Sequence, residues 1–376
     1  MTAEMVFWPA LTVAVWAYAG YPLAMIARAR RRGRDPQTRS IRPAVTVVIA
    51  ARNESKTIAA RVANLLAADY PADRLDVCVV DDGSVDDTAA QAESSGDARV
   101  RVIRLRTPGG KAVALNRALE TVETPLTVFA DARQRFAPET IAELVAPFAD
   151  EAVGAVSGTL VFDAAAGGAG EAAGAYWRLE RALRQAEARL GRAHAVSGAV
   201  YAIRTRLFEP LPPGLVLDDV FVPLVIVRQG YRVWVAPRAI ARDIATASAS
   251  VEFRRKLRTL TGNWQLIAAL PWLLDPRANP VFGAWLSHKF ARLVAPWALL
   301  LTFFAAVAGT GALMALAFWA QVAGYIVAAG ALVLPRSVGR LPLAGAAGSF
   351  VLLNAAALAS LPTWLCTRDP ARLWQR

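Results

Sequence analysis

The chain has 376 residues, 55% of them hydrophobic and 19% charged, with 42 basic and 30 acidic side chains for a net charge of +12 and a mean hydropathy of +0.35. That apolar content excludes a purely soluble protein, and the charge excludes a bundle of membrane helices alone; a soluble domain joined to membrane segments satisfies both. Two cysteines, Cys78 in an apolar run and Cys366 at the end of an apolar tract, exclude a disulfide framework and a thiolate metal site.

Residues Met5 to Ile26 carry no charge over 22 positions. At ~1.5 Å per residue such a run forms a membrane-spanning helix. The positive charge, RARRRGR, follows the run instead of preceding it, which argues against a signal peptide. Residues 1–27 are therefore read as a transmembrane helix and 28–43 as a basic juxtamembrane linker. Residues 27–42 hold seven arginines and one aspartate, half of the net charge, beside the first membrane helix. This is a topology and lipid signal that puts the soluble part of the chain in the cytosol. Without interleaved aromatics or a basic helix face it is no nucleic-acid site.

Between Pro43 and Pro138 short apolar runs, AVTVVIA, VCVV, RVRVIRL and PLTVFA, alternate with helix-length segments ending near Ala68, beginning after Ser84, and covering about Ala112 to Glu120. Strands alternating with helices predict an α/β fold with a mostly parallel sheet and right-handed crossovers. The runs are continuous because both sheet faces are covered. ARNE (51–54), DDGS (81–84) and DAR (131–133) then fall at the carboxyl ends of strands, where ligands bind in such sheets. Each alone has an ordinary reading: DDGS as a turn and helix cap, ARNES as a cap, GGK (109–111) as a loop without the full nucleotide-loop spacing. Their joint placement points to one ligand site, in a soluble domain spanning 44–285.

Residues 286–376 are read as a membrane region of about three helices. Leu293 to Pro335 is uncharged over 43 residues with Gly309 and Gly311 near its middle, two spans and a turn, and Leu341 to Thr367 makes a third. SHKFARL (287–293) is amphipathic and is expected to hold the site against the bilayer. The three tracts contain no acid or base to mark a transport path.

The ordered set VTVVIAARNES, VVDDGSVDDT, GGKAVALNRAL, VFADA, SGAVYAI and LDDV resembles the family 2 glycosyltransferases, with their GT-A nucleotide-sugar-binding fold, over roughly Val45 to Trp272. The flanking helices resemble those of membrane polysaccharide synthases. The resemblance implies inverting transfer of a sugar from a nucleotide diphosphate, a UDP-sugar foremost, to a glycan or lipid-linked acceptor at the cytosolic face of a bacterial inner membrane. It further implies that Ala51, Asn53, Glu54 and Asp82 hold the nucleoside. Asp131 would stand at the diphosphate, as would Lys111 with its ammonium. Asp219 would be the general base, its pKa raised by its neighbour Asp218.

Two departures from the family pattern stand out. The Gln-x-x-Arg-Trp signature of processive relatives is replaced by RRKLRTLTGNW. Arg258 is then expected to clamp the diphosphate, while Trp264, the candidate for stacking on acceptor sugar, arrives late. In the family's acidic motif the third residue usually binds the divalent metal, and here it is Arg133. A guanidinium can meet phosphate charge itself, so Mg²⁺ or Mn²⁺ on Asp131 is expected with a weakened requirement. Arg133 has three readings: on the diphosphate, paired with Asp131, or solvated in its loop. His194 is a possible compensating ligand, although a lone loop histidine more often lies on the surface. The alternatives in function are a polyprenyl-phosphate sugar synthase and a catalytically silent nucleotide-sugar-binding partner of a secretion complex.

Overall fold

The computed structural model describes residues 2–163, 170–244, 249–334 and 337–367. The first helix, α1 (Ala3–Arg32), is apolar enough to cross a membrane. It continues past residue 27, so Arg28 to Arg32 extend its last turns and the linker begins only at Gly33. Basic side chains are favourable there, against the negative end of the helix dipole.

The soluble domain is built on eight strands, β1 (Val45–Ala51), β2 (Leu75–Asp81), β3 (Val100–Arg104), β4 (Leu126–Ala130), β5 (Arg135–Phe136), β6 (Val153–Asp163), β7 (Val200–Arg204) and β8 (Arg232–Ile244). They form one sheet in the order β3-β2-β1-β4-β7-β6-β8-β5. The first four strands are parallel and are joined through α2 (Ile58–Leu66), α3 (Thr88–Glu93) and α4 (Lys111–Leu119). Val47, Val48, Ile49, Val77, Val79 and Val80 are fully buried, as strands covered on both faces require. Each such side chain contributes ~1.5–3 kcal/mol by leaving water.

Beyond β4 the sheet turns mixed. β7 inserts antiparallel between β4 and β6, and β6 pairs parallel with β8. Around this half pack α5 (Thr140–Val145), α6 (Gly170–Arg189), α7 (Asp218–Arg228) and α8 (Ala249–Ala269). Among the described residues three more helices are long and apolar enough to span a membrane: α9 (Phe282–Ala308), α10 (Ala312–Val333) and α11 (Leu343–Thr367). On α10 Leu316, Trp319, Ile326 and Val333 face outward, an apolar surface suited to lipid.

These apolar helices do not hang free of the sheet domain. α1 packs along α9, α6 lies on the second half of α1, and α8 runs beside α11. SHKFARL, expected as a surface amphipath, lies inside α9, where Leu286–Phe290 forms a wide π-helical turn that buries His288. Opposite it in α1, Trp16–Gly20 makes a second π turn, and Trp16 Nε1 donates to Ser287 Oγ at 3.1 Å.

Candidate active site

Three loops at the carboxyl ends of β1, β2 and β4 are knitted together by side-chain to backbone hydrogen bonds. After Ala51, whose carbonyl accepts from Asp82 N–H at 2.9 Å, Asn53 turns into the left-handed region at φ 54°. Asparagine tolerates that conformation. Its N–H donates to Ser84 Oγ at 2.9 Å, and its Oδ1 accepts from Val85 N–H at 3.0 Å. The Glu54 N–H donates to Thr88 Oγ1 at 2.8 Å. Asp82 accepts the N–H groups of Gly109 at 2.6 Å and Gly110 at 2.9 Å, one on each oxygen. Gly83 sits at φ 63°, and a Cβ there would meet Pro108 N at 2.8 Å, so only glycine lets the two loops touch.

Asn53 Oδ1 and both Asp82 oxygens thus each accept a backbone amide in this structure. Their place in the site is to hold the GGK loop and the turn after β2. A cavity of about 610 Å³ opens beside them, lined by Arg52, Asp81, Ser84, Arg104 and Arg106 and bounded by Pro108. Its size suits a small ligand. Asp81 Oδ1 accepts from both the N–H and the hydroxyl of Ser84. Arg52 belongs to the ARNE motif, whereas Arg104 and Arg106 escaped sequence reading because they end and follow β3 with no motif around them.

The GGK loop delivers Lys111 to the centre of the site. Its Nζ lies 3.2 Å from Asp131 Oδ1 and 3.3 Å from Asp218 Oδ2. Burial opposes the ammonium, but Asp131, Asp218 and Asp219 outweigh it and raise its pKa, so Lys111 is charged. Asp218 and Asp219 open α7. Burial raises the pKa of both, and the Asp218 charge adds to the rise at Asp219, which reaches about 6. Tyr201 Oη donates to Asp218 at 3.4 Å. Asp219 is braced by the SGA loop: Val196 N–H donates to its carbonyl at 2.9 Å, and a Cβ on Gly198 would stand 3.2 Å from its Cβ. Arg258, on α8, feels the charges of Asp131, Asp219 and Asp218, while burial lowers its pKa.

Asp131 is itself held from below. Arg61, 2% exposed, donates through Nε to the Asp131 carbonyl at 3.1 Å and stacks its guanidinium 4.0 Å from the Phe136 ring centroid. A helix-interior arginine gave no sequence signal.

Three side chains lie elsewhere than the sequence reading placed them. Arg133 does not pair with Asp131; its guanidinium meets Glu54 Oε1 at 3.0 Å with 72% of the side chain exposed. The carboxylate of Glu54 is shared between that arginine and Thr57, whose hydroxyl donates at 2.9 Å. Trp264 donates to Ser360 Oγ at 2.9 Å and packs edge-on to Phe290, which fastens α8 to α9 and α11. His194 is no surface residue: it is 1% exposed, and burial lowers its pKa to about 4, so the ring is neutral.

A parallel β-α half with acids at its strand ends, continued by an antiparallel insertion and a helix that opens on paired aspartates, is the glycosyltransferase form of the α/β fold. Residues 43–262 match Glycosyltransferase like family 2, and the chain belongs to that family. It is 38% identical over 103 residues to the succinoglycan biosynthesis protein ExoU of Rhizobium meliloti, covering 27% of this chain and 29% of that protein. To an N-acetylglucosaminyltransferase of Mesorhizobium japonicum it is 28% identical over 246 residues, 60% of this chain and 57% of the relative. The chain thus spans between 29% and 57% of the length of these curated relatives. Among solved structures, the mannosyltransferase PcManGT from Pyrobaculum calidifontis, in complex with GDP-Man and Mn²⁺, superposes with a TM-score of 0.72 at 25% identity, over 97% of this chain and 99% of that one.

Proposed function

We propose that the chain transfers a sugar, with inversion, from a nucleotide diphosphate to a hydroxyl of a lipid-linked or polysaccharide acceptor at the cytosolic face of the membrane. The observation that carries this reading is the Lys111 bridge between Asp131 and Asp218. One ammonium joins the acid at the donor loops to the acid pair that includes the base. The nucleoside lies in the cavity beside Asp81 and Arg52, which arginines and aspartates line in equal number, and the diphosphate runs toward Lys111 and Arg258. Asp219, ionised above about pH 6, takes the acceptor proton as the hydroxyl attacks the anomeric carbon. The leaving diphosphate meets Lys111 and Arg258, cations already in place.

A divalent metal fits this site in a limited way. Asp131 Oδ1 faces Lys111, and among the described residues Oδ2 accepts no hydrogen bond. Arg133 offers no ligand. Mg²⁺ or Mn²⁺ would bind through Asp131 and phosphate oxygens, keeping several waters. When bound it would supply Lewis-acid polarisation of the diphosphate. The PcManGT complex contains Mn²⁺, which supports a metal here; with Lys111 and Arg258 sharing the charge, the requirement is weaker than in a two-carboxylate site. The donor base is open between uridine, the first expectation, and guanosine, which PcManGT holds.

A screen of UDP- and GDP-sugars with the protein in nanodiscs, reading released nucleotide diphosphate, tests the proposal. Release from one donor class with bacterial membrane lipid present supports it, and no release from any donor favours the silent-partner reading. A second acceptor class has an observation behind it. Among the described residues no carboxylate lies within 4.0 Å of the Lys289 ammonium, and its charge acts on Asp219. A phosphate acceptor such as a polyprenyl phosphate would find its counter-charge there.

A further inference from the structure

Between α1, α6 and α9, away from the donor loops, lies a buried polar cluster that the transfer reaction does not use. Glu180 and Glu187 project from α6, His288 from the π turn of α9, and His194 from the loop after α6; all four are less than 9% exposed. Glu180 has ample counter-charge, with Arg184 at 3.2 Å and Arg292 at 2.9 Å. Glu187 has none of that kind. Among the described residues its one ion-pair partner is His288 Nδ1 at 2.9 Å, and no Lys or Arg nitrogen comes within 4.0 Å. Its other contact is the Tyr21 hydroxyl, which donates to Oε1 at 2.7 Å. A carboxylate taken out of water demands a matching cation.

The second observation is His194. Its Nδ1 lies 3.1 Å from the Arg192 carbonyl, a contact that requires the proton on Nδ1, and its buried Nε2 has no partner. The ring belongs to the cluster: one donor atom each from Glu187, His194 and His288 lie within 4.8 Å of one another. A buried, unpaired imidazole nitrogen costs desolvation that an ion would recover.

We propose that Glu187, His194 and His288 bind a divalent transition metal, Zn²⁺ by the chemistry of the donors, in a structural site distinct from Asp131. Two imidazoles and one carboxylate are a familiar zinc set, and the fourth position falls to Tyr21 Oη or a water. The outer contacts are those that orient ligands. Glu180 Oε1 stands 3.2 Å from His288 Nε2, leaving Nδ1 for the ion, and the Arg192 carbonyl does the same for His194. Binding displaces the proton shared by His288 Nδ1 and Glu187. The edges of a zinc tetrahedron are ~3.3 Å, so the widest donor separation closes by up to ~1.5 Å while the 2.9 Å Glu187–His288 pair opens slightly, within reach of side-chain rotation. The ion would tie α6, α9 and, through Tyr21, α1 to the loop that two residues later donates from Val196 to the Asp219 carbonyl.

The test uses the full chain in detergent, without a histidine tag, incubated with Zn²⁺ and passed through gel filtration before elemental analysis. Wild type should retain about one zinc per chain, Asp131→Asn the same amount, and His194→Ala and Glu187→Gln at least ~10-fold less. Wild type that emerges without zinc, or retention shared equally by the variants, overturns the proposal. Should the variants fold poorly, cobalt(II) loading of wild type decides independently. Intense visible absorption of tetrahedral cobalt supports the site, and the weak spectrum of an octahedral ion rejects it.

Discussion

At the scale of single residues the proposed base is Asp219, and its environment makes two measurable demands. Its carboxyl is raised to about 6 by burial and by the adjoining Asp218. Below that pH the base is protonated, so kcat/KM should fall about tenfold per unit, and a profile flat to pH 4 would contradict the assignment. The same shift acts on stability. The folded carboxyl holds its proton more tightly than an unfolded aspartate of pKa ~3.9, so its contribution is full below pH ~4 and lost as pH rises through about 6. Asp219→Asn should therefore melt higher than wild type at pH 8 and show no such advantage below pH 4, which scanning calorimetry at both values checks. Arg133 makes the opposite prediction. A 72%-exposed guanidinium on Glu54 is a surface pair worth ~0–1 kcal/mol, so Arg133→Ala should leave the melting temperature within a few degrees. Sequence order made Asp131, Asp218, Asp219 and Lys111 legible as a set. It did not reveal that Arg133 turns to Glu54 or that His194 is buried, because both depend on what folds over them from distant segments.

Among the elements, the GGK loop and the SGA loop do the positioning. The GGK loop hangs from Asp82 by two amide hydrogen bonds, and Lys111 is the next residue along. Leaving such amides unmet costs ~1–3 kcal/mol each. Asp82→Ala should therefore raise the donor Kd by at least tenfold while α4 still folds, measured by titration calorimetry and circular dichroism. On the other side Gly198 presses against Asp219, with 3.2 Å between a new Cβ and that of the base. Gly198→Ala should lower kcat more than it changes donor affinity. The parallel half of the sheet was legible because its strands are unbroken apolar runs. The second half was not: β7 runs antiparallel between β4 and β6, and its neighbours in the sheet are set by contacts far apart in sequence. The burial of His288 within SHKFARL was hidden for a related reason, since α6 supplies Glu180 and Glu187 to surround it.

For the whole molecule, the spans are structural partners of the catalytic half. α8 carries Arg258 on one stretch and Trp264 on the next, and Trp264 is tied to Ser360 of α11. The arginines at 28–34 argue for a cytosolic domain. With Cys366→Ser in place to remove the exposed thiol, Ser94→Cys should resist an impermeant maleimide in intact cells and react after lysis; labelling of intact cells would reverse the orientation. Hydropathy made the spans legible, whereas their packing against α6 and α8 was not, since apolar runs do not specify partners. The claim on which the account rests most heavily is that Asp219 takes a proton from an acceptor hydroxyl. The direct measurement is donor binding and turnover of Asp219→Asn side by side. The account predicts donor affinity within about threefold of wild type and turnover reduced ~10²–10⁴-fold. Normal donor binding with turnover within a few-fold of wild type would contradict it.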